Sequence, residues 1–234
     1  MRIPLLALLV SSFTWLNAQW QTNGVAVCDT TANGGIEPLS RITTDGKGGA
    51  IMCWRDARNG RDYDIYAQRV SSRGYMMWQH NGVPVVALST NQDYPRICSD
   101  GKGGAFVAWE DDRGTNTFPY AQWIDSLGQP MWQVNGVKVA ETPGLFISLT
   151  VDEFQNLYLG WSTVGNAYMQ KMNGSGNRVW GDSGIQVTNR PGNVSSNDVA
   201  IVADGTGGGN CWVGRRWEGL RPASGQCRYD PLAD

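Results

Sequence analysis

Apolar residues in this chain fall into short runs separated by turn-forming residues, and no stretch shows the three-to-four spacing of an amphipathic helix. The section from residue 94 to 139 shows the pattern most plainly. Arg96-Ile97-Cys98-Ser99 leads into the turn Asp100-Gly101-Lys102-Gly103-Gly104, and Ala105-Phe106-Val107-Ala108-Trp109 follows as an apolar, β-prone run. After a polar loop, Tyr120 to Asp125 reads as a third strand, closed by Ser126-Leu127-Gly128. Asn135-Gly136 then precedes Val137-Lys138-Val139, which alternates with period two. The expectation is four short antiparallel strands joined by tight turns, with glycine where the backbone turns left-handed.

The same pattern recurs four times. Its opening element stands at Trp20-Asn23-Gly24-Val25, Trp78-Asn81-Gly82-Val83, Trp132-Asn135-Gly136-Val137 and Trp180-Ser183-Gly184-Ile185. The turn carboxylate recurs at Asp45, Asp100, Asp152 and Asp204, separated by 55, 52 and 52 residues. The second tryptophan recurs at Trp54, Trp109, Trp161 and Trp212. Three residues before each turn Asp stands an apolar side chain: Ile42, Ile97, Leu149 or Ile201. A period of this size marks a repeat architecture. A lone four-stranded sheet of this kind cannot bury both faces, whereas copies stacked radially can, so the sequence predicts an all-β chain forming a β-propeller. The repeat tryptophans would fill the space between blades, each burying on the order of 200 Å².

The repeats run over about 29–85, 86–139, 140–187 and 188–234, with an N-terminal strand segment at 20–28 that could complete the last blade. That phase allows a closed four-bladed ring. The weakening of the pattern in copies three and four favours the alternative, an open arc or partial propeller.

Before the repeats, Arg2, the apolar run Ile3 to Leu16 and the small-residue site Asn17-Ala18-Gln19 have the form of a secretory signal peptide over residues 1–18. The single domain would then be 19–234, exported to the cell exterior, with no transmembrane segment left after cleavage. Charge narrows the partners. The formal net charge is -2 and charged residues make up 17%, with no Lys/Arg run, which argues against nucleic acid. The five cysteines are Cys28, Cys53, Cys98, Cys211 and Cys227. Cys53 and Cys211 precede a repeat tryptophan where other copies have Ala108 and Gly160, so they read as small packing residues. The alternative is a disulfide between Cys211 and Cys227 on neighbouring strands.

The strings Asp100 to Arg113, Tyr120-Ala121-Gln122 and Gly128 to Trp132 resemble repeats of secreted bacterial β-propeller proteins, and Trp54 to Arg58 and Asp64 to Val70 match equally. The resemblance covers the mature chain, most strongly residues 20–139. It implies the fold and the exported setting, and it brings no catalytic residues.

The charged constellation Trp-x-Asp-x-Arg occurs as Trp54-Asp56-Arg58 and Trp109-Asp111-Arg113. Asp and Arg two apart on an extended segment point the same way, so they can form a loop-fixing ion pair or a ligand-binding ring. The turn aspartates lack the Thr-Trp ending of the sialidase Asp-box and read as turn caps. Asp62, Asp64, Asp111 and Asp112 lack EF-hand spacing, so no metal and no cofactor is expected. His80, in a surface turn, has no partner that would signal a zinc site or a catalytic triad.

The reading that follows is a non-enzymatic module binding a glycan or a surface protein on the loops 55–64 and 110–119. Its candidate residues are Asp56, Arg58, Asp62, Asp64, Asp111, Asp112, Arg113, Phe118 and Trp123, with Tyr63 and Trp217 as further aromatics. Two alternatives stand beside it. One is a carbohydrate-active hydrolase of sialidase-like shape using Glu110, Asp111 or Asp112. The other is a truncated propeller fragment without independent function.

Overall fold

The computed structural model describes residues 23–29, 39–163, 165–187, 197–203, 209–215 and 226–228. The leader 1–18 and residues Trp20, Asp204, Arg216 and Trp217 lie outside the described residues. Among the described residues no helix is long and apolar enough to cross a membrane.

The chain forms successive antiparallel sheets. The first holds β1 (Arg41–Thr44), β2 (Ala50–Asp56), β3 (Asp64–Val70) and β4 (Val83–Val86) in chain order. The second holds β5 (Gln92–Ser99), β6 (Ala105–Asp111), β7 (Phe118–Ile124) and β8 (Val137–Lys138). The third holds β9 (Leu145–Val151), β10 (Leu157–Ser162), β11 (Ala167–Met172) and β12 (Ile185–Gln186). The fourth shows three strands among the described residues: β13 (Asn197–Ala203), β14 (Gly209–Arg215) and β15 (Gln226–Arg228). Its register sets Cys211 directly opposite Cys227.

The first strands pack against one another in series, β1 on β5, β5 on β9 and β9 on β13, so each sheet is a blade radiating from a common axis. Among the described residues the series does not close. β13 packs on β9 and β10 and has no comparable packing on β1. The molecule is an open arc of propeller blades, which is the form the weakening repeat predicts.

Hydrophobic cores lie between blades because the second strands β6 and β10 are buried on both faces. Alternation sends Ile51 and Cys53 to the space between blades one and two, where Val107 and Trp109 meet them from the other side. Phe106 and Ala108 point the opposite way, into a second core with Leu157, Leu159 and Trp161. A third core joins Tyr158 and Met169 to Ile201. Burial pushes the Cys53 thiol up to about 12, so it stays protonated and packs as an apolar group. Cys53 and Cys98 are free thiols.

The other repeat tryptophan fastens blade to blade at the turn end. The Trp78 indole donates to the Ser126 carbonyl at 3.1 Å and Trp132 donates to Gly174 at 3.0 Å. Each ring lies under a glycine of the next blade's turn, Gly128 or Gly176, where a Cβ would come within 2.9 Å of it. Each turn aspartate caps its own turn. Asp45 Oδ1 accepts from the amides of Lys47 and Gly49, and Asp100 Oδ1 accepts from Lys102 and Gly104. Asp152 Oδ1 accepts likewise from Phe154 and Asn156. The second oxygen is filled differently in each blade: by Arg69 at Asp45, by the Trp123 indole at Asp100, and by Asn156 and the Tyr158 hydroxyl at Asp152.

One expectation needs correction. Residues 23–29, expected as part of a β-strand, are irregular. They nevertheless take the place of a preceding blade's outermost segment. Asp29 donates its amide to Asn81 Oδ1 at 2.9 Å, as Ala87 donates to Asn135 Oδ1 at 3.2 Å one blade later.

Candidate functional site

The loops between second and third strands, 57–63 in blade one and 112–117 in blade two, lie at the end opposite the aspartate turns. The connector before β5 ties them together. Asn91 Oδ1 accepts from the Tyr63 amide, the Gln92 amide donates to the Tyr63 carbonyl, and the Asp112 amide donates to the Asn91 carbonyl. Both loops therefore border one region around residues 90–94.

Asp56 and Asp111 sit beside this region, with their oxygens already committed. Asp56 Oδ2 accepts from the Trp54 indole at 2.8 Å and from Arg58 Nη2 at 2.5 Å, while Oδ1 takes Arg58 Nε and the Arg58 amide, each at 2.9 Å. Arg58 Nη2 continues to the Asn81 carbonyl at 2.9 Å, and its guanidinium lies 3.6 Å from the Tyr66 ring centroid. Blade two repeats every contact: Trp109, Asp111, Arg113, the Asn135 carbonyl and the Tyr120 ring. Burial pushes the Asp56 carboxyl up, but hydrogen bonds from Arg58 and Trp54 outweigh it and hold the group below the usual carboxylate range. Apart from a 3.6 Å contact of Arg58 Nη2 with Cys28 Sγ, every contact is internal to the blade, so the geometry is that of a brace. Blade three has Thr163 and Gly165 at these positions, and there the buried Trp161 indole nitrogen has no hydrogen-bond partner.

Asp64 belongs to blade one alone, since Phe118 holds its place in blade two. It is 3% exposed and accepts from the Leu88 amide and from Asn59 Nδ2, each at 3.1 Å. Burial, with the neighbouring carboxylates of Asp62 and Asp56, pushes its carboxyl up to about 6. The folded state thus holds this proton more tightly than the unfolded chain does. The penalty for ionising it is absent below about pH 4 and complete above about pH 6. Stability should therefore fall by up to roughly 3 kcal/mol as pH rises through that window. Asp64→Asn keeps an acceptor for Leu88 and should flatten the dependence. Urea midpoints at pH 4 and pH 7 for both proteins check it, and equal wild-type midpoints would refute the assignment.

The remaining predicted residues divide by position. Asp62 bonds Asn59, and Asp112 Oδ1 accepts from the Thr117 hydroxyl at 2.6 Å; both border the loops. Phe118 lies at the loop end with Lys138 Nζ 3.5 Å from its ring centroid. Trp123 does not join them. It stacks on Phe106 at 5.2 Å and donates to Asp100 at the turn end, because β7 carries it a blade's length from Phe118. His80 lies 3.4 Å from Asp29 on the surface.

Three residues absent from the sequence-based candidates complete the region. Arg55 crosses from β2 to β5 and binds both oxygens of Asp93, at 2.9 and 2.8 Å. Its guanidinium also lies 4.1 Å from the Tyr63 ring centroid. Next to Asp93, where the β5–β6 register shifts, Tyr94 has φ 49° and is 47% exposed. A bulky residue with left-handed backbone is an outlier, and outliers of this kind gather at functional positions. Glu110 stands opposite Asp93 in the register and is buried. Among the described residues no cluster of His, Cys, Asp and Glu has the form of a metal site.

No family model matches the chain, and no curated protein matches it. Solved structures do. A thermostable family-43 glycoside hydrolase aligns with TM-score 0.43 and 9% identity, over 74% of this chain and 64% of its own. A structure from the GH130 family, whose glycoside hydrolases target β-1,2-mannosidic linkages in Candida mannan, aligns with TM-score 0.45 and 9% identity, over 82% and 63%. A Bacteroides thetaiotaomicron protein provisionally described as a glycosidase aligns with TM-score 0.46 and 10% identity, over 86% and 72%. The chain thus spans less than two thirds of the first two structures. These are likenesses in the arrangement of strands.

Proposed function

We propose that this chain is an exported, non-enzymatic module that binds a glycan at the loop end of blades one and two. The observation that carries the reading is Tyr94, a half-exposed residue held on left-handed backbone beside Tyr63 and the Arg55–Asp93 pair, in which Arg55 Nη1 donates to both carboxylate oxygens. A sugar ring presents an apolar face that an aromatic side chain can cover and hydroxyls that a fixed carboxylate–guanidinium pair can bond. The braces at Asp56–Arg58 and Asp111–Arg113 hold the bordering loops still, which lowers the ordering cost of binding. The exterior setting rests on the leader at residues 1–18.

One substitution separates binding from stability. Tyr94→Gly removes the ring and also relieves the backbone, so it should stabilise the fold by on the order of 1 kcal/mol. The same change should weaken glycan binding at least about tenfold. A glycan array followed by titration of the best hit, with a thermal melt alongside, reads both. Unchanged affinity in Tyr94→Gly would overturn the site.

A second reading rests on Glu110 and Asp93. Directly opposed strand residues place their Cβ atoms about 4.5–5.5 Å apart, close enough for paired-carboxylate glycoside hydrolysis. Turnover of chromogenic glycosides that disappears in Glu110→Gln would favour the hydrolase. Arg55 holding both Asp93 oxygens favours the binder.

A further inference from the structure

The repeat specifies how every blade meets the blade before it, and among the described residues no blade stands before the first. Ile97 and Leu149, the apolar residues three before their turn aspartates, pack against the cores between blades one and two and between blades two and three. Ile201 is buried between blades three and four. Their counterpart in blade one, Ile42, is 64% exposed. The difference extends along the same face: Ala50 and Met52 are half-buried where Ala105 and Val107 are fully buried. The leading face of blade one therefore carries the repeat's apolar docking residues without a blade upon it.

Residues 24–29 narrow what covers this face. They already stand where a preceding blade's outermost segment would stand, with Asp29 on Asn81, and Cys28 Sγ 3.6 Å from Arg58 Nη2. Among the described residues, no set of a blade's inner three strands stands on this face. The last blade, β13–β14–β15, is three strands without a fourth among the described residues. In its own molecule it packs on β9 and β10 and, among the described residues, has no comparable packing on β1. We infer that the leading face of blade one is an interface with a second copy of this chain, whose β13–β14–β15 sheet packs on Ile42 and Met52 and takes residues 24–29 as its outer edge. The contact is heterologous, with different surfaces meeting, so two copies close a ring if the rotation permits and otherwise continue as an open assembly.

The test is sedimentation of the full mature chain over a range of concentrations, together with Ile42→Glu. This substitution sits on an exposed side chain and should leave the fold intact, which the tryptophan circular dichroism checks. The wild type should sediment as a dimer or larger, with a melting temperature that rises with concentration. Ile42→Glu should raise the dissociation constant on the order of tenfold or more. A wild type that stays monomeric overturns the inference. So does one whose association is unaffected by Ile42→Glu, since the contact then lies elsewhere. A monomer in which Met52 resists peroxide oxidation also overturns it, because the chain's own last blade would then have closed the ring. Should Ile42→Glu misfold, the concentration dependence of the wild-type melt decides alone.

Discussion

Replacing Asp111 with alanine is expected to destabilise the chain by about 3–5 kcal/mol, the usual cost of stripping one partner from a buried ion pair. Asp111 is fully buried and receives four hydrogen bonds: from the Trp109 indole at 2.7 Å, from the Arg113 amide at 2.9 Å, and from Arg113 Nε and Nη2 at 2.8 and 2.6 Å. Its loss orphans the indole N–H inside the core and leaves a guanidinium against the Tyr120 ring with no anion. Arg113→Ala should cost less, because the carboxylate keeps the indole and the backbone amide. The double variant should fall well short of the sum, since the two residues share one network. Urea unfolding followed by tryptophan emission measures all three. A loss below about 1 kcal/mol in Asp111→Ala would mean that the brace is a passenger of the repeat. That result would return Asp111 to the list of ligand-binding candidates.

The same brace shows what the sequence could and could not reveal. Trp109, Asp111 and Arg113 recur at fixed spacing in copy one, so their membership of a blade is legible without coordinates. The turn aspartates are legible for the same reason. Their partners are not, because Asp45 meets Arg69 and Asp100 meets Trp123 across strands, and the second partner changes in every blade. Arg55, Asp93 and Tyr94 were hidden for a different reason. Arg55 and Asp93 lie 38 residues apart, and the bulge in β5 that brings them together leaves no mark on the hydrophobic pattern. Repetition announces the scaffold, whereas a site that occurs once is seen only when strands are placed side by side. Trp123 shows the converse hazard. An aromatic outside the repeat motif looked free for a ligand, yet it spends its ring on Phe106 and its N–H on Asp100.

Gly136→Ala is expected to cost more than about 4 kcal/mol, whereas Gly101→Ala, at a nearly equal backbone angle, should cost about 1–2 kcal/mol. The two glycines have φ of 80° and 73°, so both substitutions carry the same left-handed penalty. They differ in what surrounds them. A Cβ on Gly101 meets nothing within 4 Å, while one on Gly136 would lie 2.3 Å from Trp109 Cη2 and 2.8 Å from the Ala121 carbonyl oxygen. Neither neighbour can yield cheaply: Trp109 is fully buried with its nitrogen tied to Asp111, and Ala121 is held in the β6–β7 ladder. Gly82 on Trp54 and Gly184 on Trp161 repeat the arrangement at 2.6 and 2.8 Å, so in blades one to three this glycine is the floor on which the second tryptophan rests. Blade three adds a graded case. Trp161 lacks an indole partner, so its ring has more freedom to tilt, and Gly184→Ala should fall between the other two. Thermal melts of the three variants rank them. Equal losses at Gly101 and Gly136 would show that the tryptophans shift freely between blades, and that the arc is held by its hydrogen-bonded turns instead of by close-packed indoles.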